Sequence, residues 1–504
     1  MCCDNVIYIL ASPDRAQCVR DIVVTKYPDA ACREITVCEL KDEKEIETLA
    51  VDWNLYQCIR PLYKSLIINE LAFVCHNVYI DDSPEGIEIL KSYEEKALKE
   101  KKYDICKLVN HIRTEFNLWK RKVVMDAYPN LLQIESTSIC NAKCIMCKHL
   151  ISNNKNAGNM TMDIIHKLDD ILPYVGRVIL HGFGEPFVNP QIKEIIEYYL
   201  SFGIKLVTNT NLSVLPDNIL DLLNDAFYQI HVSCDGCTKE IFEGIRRNIN
   251  FEKFIHNVKK LKSNCPNVRL IMNIVMMRQN LLQLPDMVSF AKELGFEEVV
   301  FMPIGVDAYL DNYEDGLVNF PQLTLKTTEQ IIKKSEELKI RVTIPELNYK
   351  FDEEKYREEV IKIKKMKLFK SDSDIAILIK NAEEQMKTGM VEQERQWNVS
   401  TFTCAGICDW VIEKAVIDLH GNVFFCCVNM DYMSENIKIS QKIGNICKTE
   451  FKVLWNAENY IRIRKAFYDG RVPEICVGCQ FLTDKIMNTV EIADVQENFL
   501  TRKF

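Results

Sequence analysis

Between residues 131 and 345 the chain alternates short apolar runs with helix-length amphipathic stretches. The apolar runs occupy residues 131–137, 177–183, 204–210, 228–235, 268–276, 298–304 and 340–345. Regular alternation of strand and helix over this length predicts a parallel sheet with helical crossovers, closed or partly closed into a barrel. In such barrels the chemistry lies at the carboxyl ends of the strands, so those ends are where functional residues are expected.

Other segments flank the predicted barrel, which we place at residues 125–348. Residues 1–120 show a shorter alternation of apolar and polar runs and predict an N-terminal α/β domain of unknown role. Residues 349–400 are rich in Lys, Glu and Asp with helical periodicity, which indicates an inserted helical segment with solvated faces. Residues 401–504 are rich in cysteine and turn residues, which predicts a small domain held together by bound metal.

Composition narrows the function classes. The formal net charge of −9 disfavours binding to nucleic acid, because a phosphate-binding surface needs clustered Lys and Arg. Residues 6–11 form too short an apolar stretch for a signal sequence, and no run approaches the roughly 18 apolar residues of a membrane span. We therefore expect a cytoplasmic protein with no membrane partner. In a reducing compartment, 21 cysteines indicate metal or redox chemistry for some of them.

Three of these cysteines follow the first predicted barrel strand. Cys140, Cys144 and Cys147 form a C-x3-C-x2-C loop. Three thiolates on one short loop suit a cuboidal iron–sulfur cluster and leave one iron without a protein ligand. A structural zinc ion is the alternative, and it would need a fourth ligand, which the neighbouring His149 could supply.

The loop resembles the signature of the radical S-adenosylmethionine (radical SAM) enzymes. That resemblance implies a partial (βα)6-type TIM barrel within an α/β fold, and a [4Fe-4S] cluster whose open iron binds the amino and carboxylate groups of S-adenosylmethionine. It also implies reductive cleavage of that cofactor to methionine and a 5′-deoxyadenosyl radical. Met146 stands where the family usually has an aromatic residue, and its thioether can still cover the adenine face.

Later strand ends extend the resemblance. The run HGFGEP is similar to the family's glycine–glutamate motif that holds the methionine ammonium, and it supplies Gly182, Gly184 and Glu185. The runs TNTN and VSCDG follow on the next two strands. The resemblance implies that Asn209, Ser233 and Asp235 contact the ribose and methionine, and that Arg246 pairs with the carboxylate. A Ser-x-Asp sequence at a strand end can also be a simple turn cap.

The C-terminal cysteines resemble a second family element, the SPASM extension, in which cysteines hold an auxiliary iron–sulfur cluster. Twelve residues separate Cys408 from Gly421, four more precede Cys426, and Cys476 and Cys479 form a C-x2-C pair. These four cysteines would saturate one auxiliary [4Fe-4S] cluster, with Cys427 as the rival of Cys426. Residues 480–504 contain no cysteine, so we predict a single auxiliary cluster. A four-cysteine structural zinc ion is the alternative.

The resemblance implies a radical SAM oxidoreductase that modifies a small molecule or peptide oxidatively, reduced by a partner such as flavodoxin or ferredoxin. One alternative is redox-neutral epimerisation, in which Cys237 returns a hydrogen atom to the substrate. In that case Cys234 or Cys237 must face the active site, whereas the competing interpretation buries Cys234 in the core and leaves Cys237 at the start of a turn. A rival from another class is a non-catalytic scaffold or electron carrier.

Overall fold

The structure is a computed structural model. It describes residues 6–10, 31–34, 49–51, 84–151, 157–305, 310–345, 347, 350–387, 399–404, 408–427, 442–473, 476 and 486–487. At the N-terminal side, strands β1 (Val6–Leu10), β2 (Ala31–Glu34) and β3 (Leu49–Val51) form a parallel three-stranded sheet in the order β2-β1-β3. Helices α1 (Pro84–Lys99) and α2 (Tyr103–Trp119) follow. The described part of this region is therefore α/β, as the sequence predicts.

All seven predicted barrel strands are present. They are β4 (Leu131–Ile134), β6 (Arg177–Leu180), β7 (Lys205–Thr210), β8 (Phe227–Ser233), β10 (Arg269–Met276), β11 (Glu298–Pro303) and β12 (Arg341–Thr343). Each pairs in parallel with its neighbour along the chain. In the described residues β12 ends the sheet without pairing onward, so the barrel is partial. Two short strands, β5 (Lys143–Cys144) and β9 (Arg246–Arg247), pair with each other outside this sheet.

Helices between the strands cover the outer face of the sheet. They are α3 (Met162–Ile165), α4 (Ile192–Ser201), α5 (Leu220–Ala226), α6 (Lys239–Ile245), α7 (Phe251–Asn264), α8 (Leu284–Glu293) and α9 (Pro321–Leu338). Alternate strand residues such as Leu132 and Ile134 are fully buried in the core that these helices share with the sheet. The residues between them, such as Gln133 and Glu135, face the inside of the partial barrel.

The C-terminal region continues the same sheet. Strand β13 (Val399–Cys404) lies in a small separate sheet with β17 (Arg471–Pro473) and β18 (Ile486–Met487). In contrast, β14 (Lys414–Ile417) pairs in parallel with β4, and β15 (Asn422–Phe424) and β16 (Lys442–Asn445) add to it antiparallel. Helices α12 (Phe451–Trp455) and α13 (Glu458–Tyr468) complete the described part of this region. The first barrel strand is thus an interior strand of a ten-stranded sheet.

The charged insertion forms helices α10 (Glu353–Lys365) and α11 (Asp372–Lys387). One face of α11 packs through Ile375 and Leu378 against Leu150 and Ile151, just after the cysteine loop. The opposite face is solvated, and Ile377 is 59% exposed. The packed face places the described part of the insertion beside the cysteine loop. No helix in the described part of the chain has the length and apolar character to cross a bilayer.

Candidate active site

The cysteine loop begins where β4 ends and is held by backbone hydrogen bonds. Ser138 N–H donates to Gly158 O at 3.0 Å, and Glu185 N–H donates to Ile139 O at 2.9 Å. At Gly184 a Cβ atom would lie 2.3 Å from Thr137 O, so only glycine permits this close approach. Gly182 is packed similarly, against the Glu135 side chain. In this structure both predicted glycines therefore have a packing role, because they bring the HGFGEP segment against the loop.

Each loop thiol has a donor or a cation beside its sulfur. The Cys140 Sγ lies 3.9 Å from Asn211 Nδ2, Cys144 Sγ lies 3.8 Å from an Arg246 guanidinium nitrogen, and Cys147 Sγ accepts from His149 N–H at 3.5 Å. Burial raises the pKa of Cys140 to about 11 and that of Cys144 to about 12, and it raises the pKa of Cys147 as well. The neighbouring donors and Arg246 oppose that shift and favour thiolates, which suits iron ligation.

His149 is buried under the loop. Its Nε2 lies 2.8 Å from Ser138 O and so pairs with the loop's own backbone, whereas its Nδ1 is buried without a hydrogen-bond partner. Within the described residues, no three His, Cys, Asp or Glu side chains are arranged around a single-ion site. The donor set of three thiols, each with its own N–H or cationic neighbour, fits a cluster that each thiol ligates through a different iron.

Glu185 is buried at the end of the HGFGEP segment. Its carboxylate accepts from Thr210 Oγ1 at 2.6 Å, from Asn211 N–H at 2.6 Å and from Phe187 N–H at 3.3 Å. Burial raises its pKa to about 7, and the hydrogen bonds from Thr210, Asn211 and Phe187 oppose the shift. The group is therefore poised between neutral acid and carboxylate near neutral pH, where a bound cation would favour the ionised form.

Arg246 and Asp235 form a buried ion pair at 2.7 Å. Asp235 Oδ1 also accepts from Val275 N–H at 2.7 Å, which ties the end of β8 to β10. β9 carries Arg246 alongside Cys144 through the β5–β9 pairing. In this structure Asp235 therefore holds Arg246 in place beside the Cys144 thiol, an arrangement that the sequence did not reveal.

Asn209 and Ser233 line the inside of the sheet and are half-buried. Asn209 is in register with His231, and Ser233 with Asn273. The His231 ring lies 3.1 Å from Asn273 Oδ1 through Nδ1 and 2.9 Å from Gln229 Nε2 through Nε2. Burial lowers the pKa of His231, and it lowers that of His181, which follows β6, to about 4. The interior beneath the loop is thus polar with uncharged imidazoles.

Cys234 and Cys237 lie away from this interior. Cys234 is fully buried in the core, and its Sγ approaches Gly236 O at 3.5 Å. The Cys237 Sγ lies 3.6 Å from Gln283 Oε1, at the residue preceding α8. Cys237 itself precedes α6. The arrangement follows the interpretation of a core cysteine and a turn cysteine, and the structure gives the proposed hydrogen donor, Cys237, no contact with the loop thiols.

Of the predicted auxiliary ligands, the structure describes three. Cys426 and Cys476 are buried, whereas Cys408 is half-buried, and Cys479 lies outside the described residues. The rival Cys427 is half-buried and packs in a cluster with Phe183 and Trp410, on the side of the HGFGEP segment. Gly421 has φ +78°, a left-handed conformation that explains a glycine in the turn between β14 and β15.

Sequence reasoning missed a polar network beside Cys140. Asn211 Nδ2 donates to Asn141 Oδ1 at 3.1 Å, and Ser213 Oγ donates to Asn211 Oδ1 at 2.6 Å. Asn141 Nδ2 donates in turn to Ser213 Oγ at 2.6 Å. The network joins the turn after β7 to the cysteine loop. Its signal in the sequence is the second asparagine of the TNTN run, Asn211, two residues after the predicted Asn209.

Two regions of the chain match known protein families. Residues 134–291 match the radical SAM superfamily, and residues 408–480 match SPASM, an iron–sulfur cluster-binding domain. The chain is 28% identical over 177 residues to the AdoMet-dependent heme synthase of Methanosarcina barkeri, covering 34% of this chain and 50% of that protein. It is 26% identical over 174 residues to the mycofactocin maturase MftC of Mycobacterium tuberculosis, covering 33% of this chain and 43% of that protein.

Two solved structures show a weaker likeness. SuiB of Streptococcus suis bound to S-adenosylmethionine matches with a TM-score of 0.47 and 14% identity, over 75% of this chain and 80% of that one. The structure of anSMEcpe with bound AdoMet matches with a TM-score of 0.46 and 18% identity, over 70% and 84% of the two chains. The chain spans about half the length of the curated relatives above. The chain therefore contains a radical SAM region, residues 134–291, and a SPASM-type iron–sulfur region, residues 408–480.

Proposed function

We propose that this chain is an enzyme that cleaves S-adenosylmethionine reductively and abstracts a hydrogen atom from a small molecule or peptide, with an oxidised product. The main support for the proposal is that the loop thiols lie beside the charged groups Arg246 and Glu185. Cys144 lies beside Arg246, and Asn211 links Cys140 to Glu185, all at the carboxyl ends of the strands. An electron carrier does not need polar groups placed to bind the charged end of S-adenosylmethionine.

In this proposal Cys140, Cys144 and Cys147 hold a [4Fe-4S] cluster, and Cys408, Cys426, Cys476 and Cys479 hold an auxiliary one. Glu185 receives the methionine ammonium, with Gly182 and Gly184 shaping its segment. Arg246, held by Asp235, faces the methionine carboxylate, and Asn209 and Ser233 contact the cofactor's ribose and methionine. When bound, the cluster and S-adenosylmethionine supply a 5′-deoxyadenosyl radical. The chain's task is to orient the substrate C–H bond and exclude water.

The names of the relatives leave the substrate class open, whereas the interior of the barrel supports an uncharged substrate group. One relative is named a heme synthase and the other a maturase, so the names span small-molecule and peptide chemistry. The interior offers Asn209, Ser233 and neutral imidazoles, while Arg269 and Arg341 pair with Glu298 at the other end of the strands. We propose a flavodoxin or ferredoxin as the reducing partner.

Anaerobic reconstitution tests the function. We expect about eight iron atoms and eight sulfides per chain, since two cubane clusters hold four each, and formation of 5′-deoxyadenosine with dithionite. Replacing Cys140, Cys144 and Cys147 together by Ala should leave about four iron atoms and abolish cleavage. Zinc at both sites without cleavage would refute the proposal, and so would cleavage retained by the triple variant.

Once a substrate is found, its product separates oxidation from epimerisation. Mass spectrometry in deuterated water should show a product lighter by two hydrogens. An unchanged skeleton that carries one solvent deuterium, with the deuterium lost in Cys237→Ala, would establish epimerisation instead.

A further inference from the structure

The turn between α10 and α11 lies over the carboxyl ends of the barrel strands. Its Leu368 and Phe369 pack in an apolar cluster with Ile145 and Met146 of the cysteine loop. The buried members of this cluster are Ile241, Ile245, Met277 and Ile304, and the half-buried members are Ile145, Met146, Val275, Leu368 and Phe369. The half-buried side chains cover the buried ones and keep part of their own apolar surface accessible.

Several contacts fix this turn in place. A Cβ atom on Gly244 would lie 2.3 Å from Phe369 Cζ, so the ring rests directly on the backbone of α6. The buried Arg278 donates to Lys367 O at 2.9 Å and to Asp315 Oδ1 at 3.0 Å. Lys370 Nζ lies 2.9 Å from Asp311 Oδ2. The ring of Phe369 therefore has a defined position and is not a loosely attached surface residue.

The apolar cluster lies beside the part of the cysteine loop that carries Ile145 and Met146. Polar groups gather at Cys140, where Glu185, Thr210 and Asn211 meet, whereas Met146 stands between Cys144 and Cys147 and faces the apolar cluster. S-adenosylmethionine has the same division, since its amino-acid end is charged and its adenine is a flat base with a large apolar face. A flat base gains most from contact with aromatic and aliphatic side chains.

Building on the function proposed above, we propose that Phe369 is a cofactor-binding residue that closes the adenine pocket, with Leu368 beside it and Met146 opposite. The charged insertion would then be part of the S-adenosylmethionine site and would contribute an aromatic ring to the apolar cluster that contains Met146. Neither the family match nor the SPASM match includes these residues, because they end at residue 291 and begin at residue 408.

The test compares two phenylalanines of the same region. Phe369→Ala removes the pocket wall, whereas Phe351→Ala removes a ring that is 38% exposed and contacts Tyr356. Binding is titrated on the reconstituted, reduced holoenzyme through the electron paramagnetic resonance signal of the loop cluster, with S-adenosylmethionine and with methionine alone. We expect Phe369→Ala to weaken S-adenosylmethionine about tenfold. Methionine, which lacks the base, should bind as it does to wild type, and Phe351→Ala should change neither ligand.

A second variant separates loss of the Phe369 contact from misfolding of Phe369→Ala. Gly244→Ala displaces the Phe369 ring without removing it, and it should weaken S-adenosylmethionine in the same direction while iron content stays at the wild-type value. Unchanged S-adenosylmethionine affinity in both variants, or equal losses for both ligands, would overturn the inference. A wild-type protein that neither binds nor cleaves S-adenosylmethionine would instead refute the proposed function.

Discussion

Two consecutive arginines at the end of α6 have opposite surroundings. The Arg246 side chain is buried and pairs with the fully buried Asp235, whereas Arg247 pairs with Asp372, whose side chain is 91% exposed. Taking a charge out of water costs several kcal/mol unless an opposite charge compensates it. An exposed pair is solvated on its own and gains little from contact. The buried pair therefore contributes to stability and to the position of Arg246, and the exposed pair does not.

Asp235→Asn tests this difference, with Asp372→Asn as the matched control. The amide keeps an acceptor for Val275 N–H but leaves the buried guanidinium without a counter-charge, so we expect a loss of about 3 to 5 kcal/mol in the free energy of unfolding. The control should change it little. Urea unfolding of both apo variants measures the difference. Equal and small losses would show that Arg246 is compensated by another group.

Thr210 orients Glu185, and Thr208 on the same strand provides a control. Thr210 donates to Glu185 at 2.6 Å, whereas Thr208 donates to Leu180 O at 2.6 Å in the helix-facing core. The Thr210 hydrogen bond lowers the pKa of Glu185, so Thr210→Val should raise that pKa further above its usual range. Less carboxylate is then present at pH 7 to receive an ammonium group.

We therefore expect Thr210→Val to weaken S-adenosylmethionine binding roughly fivefold at pH 7, with a smaller effect at pH 9, where the carboxylate is ionised in both proteins. Thr208→Val should leave the affinity unchanged. Titrations of S-adenosylmethionine binding to both variants at pH 7 and pH 9 measure these effects. A loss that does not diminish at pH 9 would mean that Thr210 acts through the shape of the turn and not through the ionisation of Glu185.

The same turn shows what the sequence could not predict at this scale. Alternation along the strands predicts the end of β7 and the TNTN run that follows. It indicates Asn209 as the site residue. In the structure Asn211 reaches Cys140, and the next residue, Leu212, adopts φ +50° in the turn after β7. A leucine in a left-handed conformation carries no sequence signal, since glycine and asparagine are the residues usually found there.

At the scale of elements, the hairpin of β14 and β15 links the barrel to the auxiliary cysteines. Gly421 N–H donates to Asp418 O at 2.9 Å, and Ile446 N–H donates to Gly421 O at 2.8 Å. The turn is therefore closed by its own hydrogen bond and is bonded to Ile446, the residue after β16, and Cys426 lies two residues after β15. Spacing in the sequence singled out Gly421, and its positive φ gives the physical reason.

Gly421→Ala should destabilise this hairpin. A left-handed conformation costs a non-glycine residue roughly 1 to 2 kcal/mol, and the new Cβ would lie 3.0 Å from Ile446 Cγ1. We expect a lower melting temperature and loss of auxiliary iron, with the loop cluster retained. Gly305→Ala is the control, because a Cβ there meets nothing within 4 Å. Loss of both clusters in Gly421→Ala would contradict a local effect.

At the scale of the whole molecule, the sequence predicted the order of the barrel strands because each parallel neighbour is joined by a single local crossover. It did not predict that the C-terminal region continues the sheet. That junction depends on contacts between distant segments, such as Glu135 N–H to Ile417 O at 2.9 Å. Periodicity and spacing describe only neighbours along the chain, so the partial barrel was predictable and its extension by β14 was not.

The segment before β4 is also hydrogen-bonded to the C-terminal helices α12 and α13. Asn456 Oδ1 accepts from Met125 N–H at 2.8 Å, and its Nδ2 donates to Met125 O at 2.8 Å. Trp455 Nε1 donates to Ala127 O at 2.9 Å, and the buried Arg464 donates to Val123 O at 3.1 Å. The start of the barrel and the C-terminal region should therefore unfold as one unit.

Asn456→Ala tests this coupling. The variant leaves two buried backbone groups of Met125 without partners, which should cost about 1 to 3 kcal/mol. If the two regions form one cooperative unit, hydrogen exchange should accelerate together in β4 and β14, although neither strand contains the substituted residue. Exchange measured by mass spectrometry on the apo protein resolves both strands. Acceleration confined to residues 451–470 would show that the C-terminal helices open independently of the barrel.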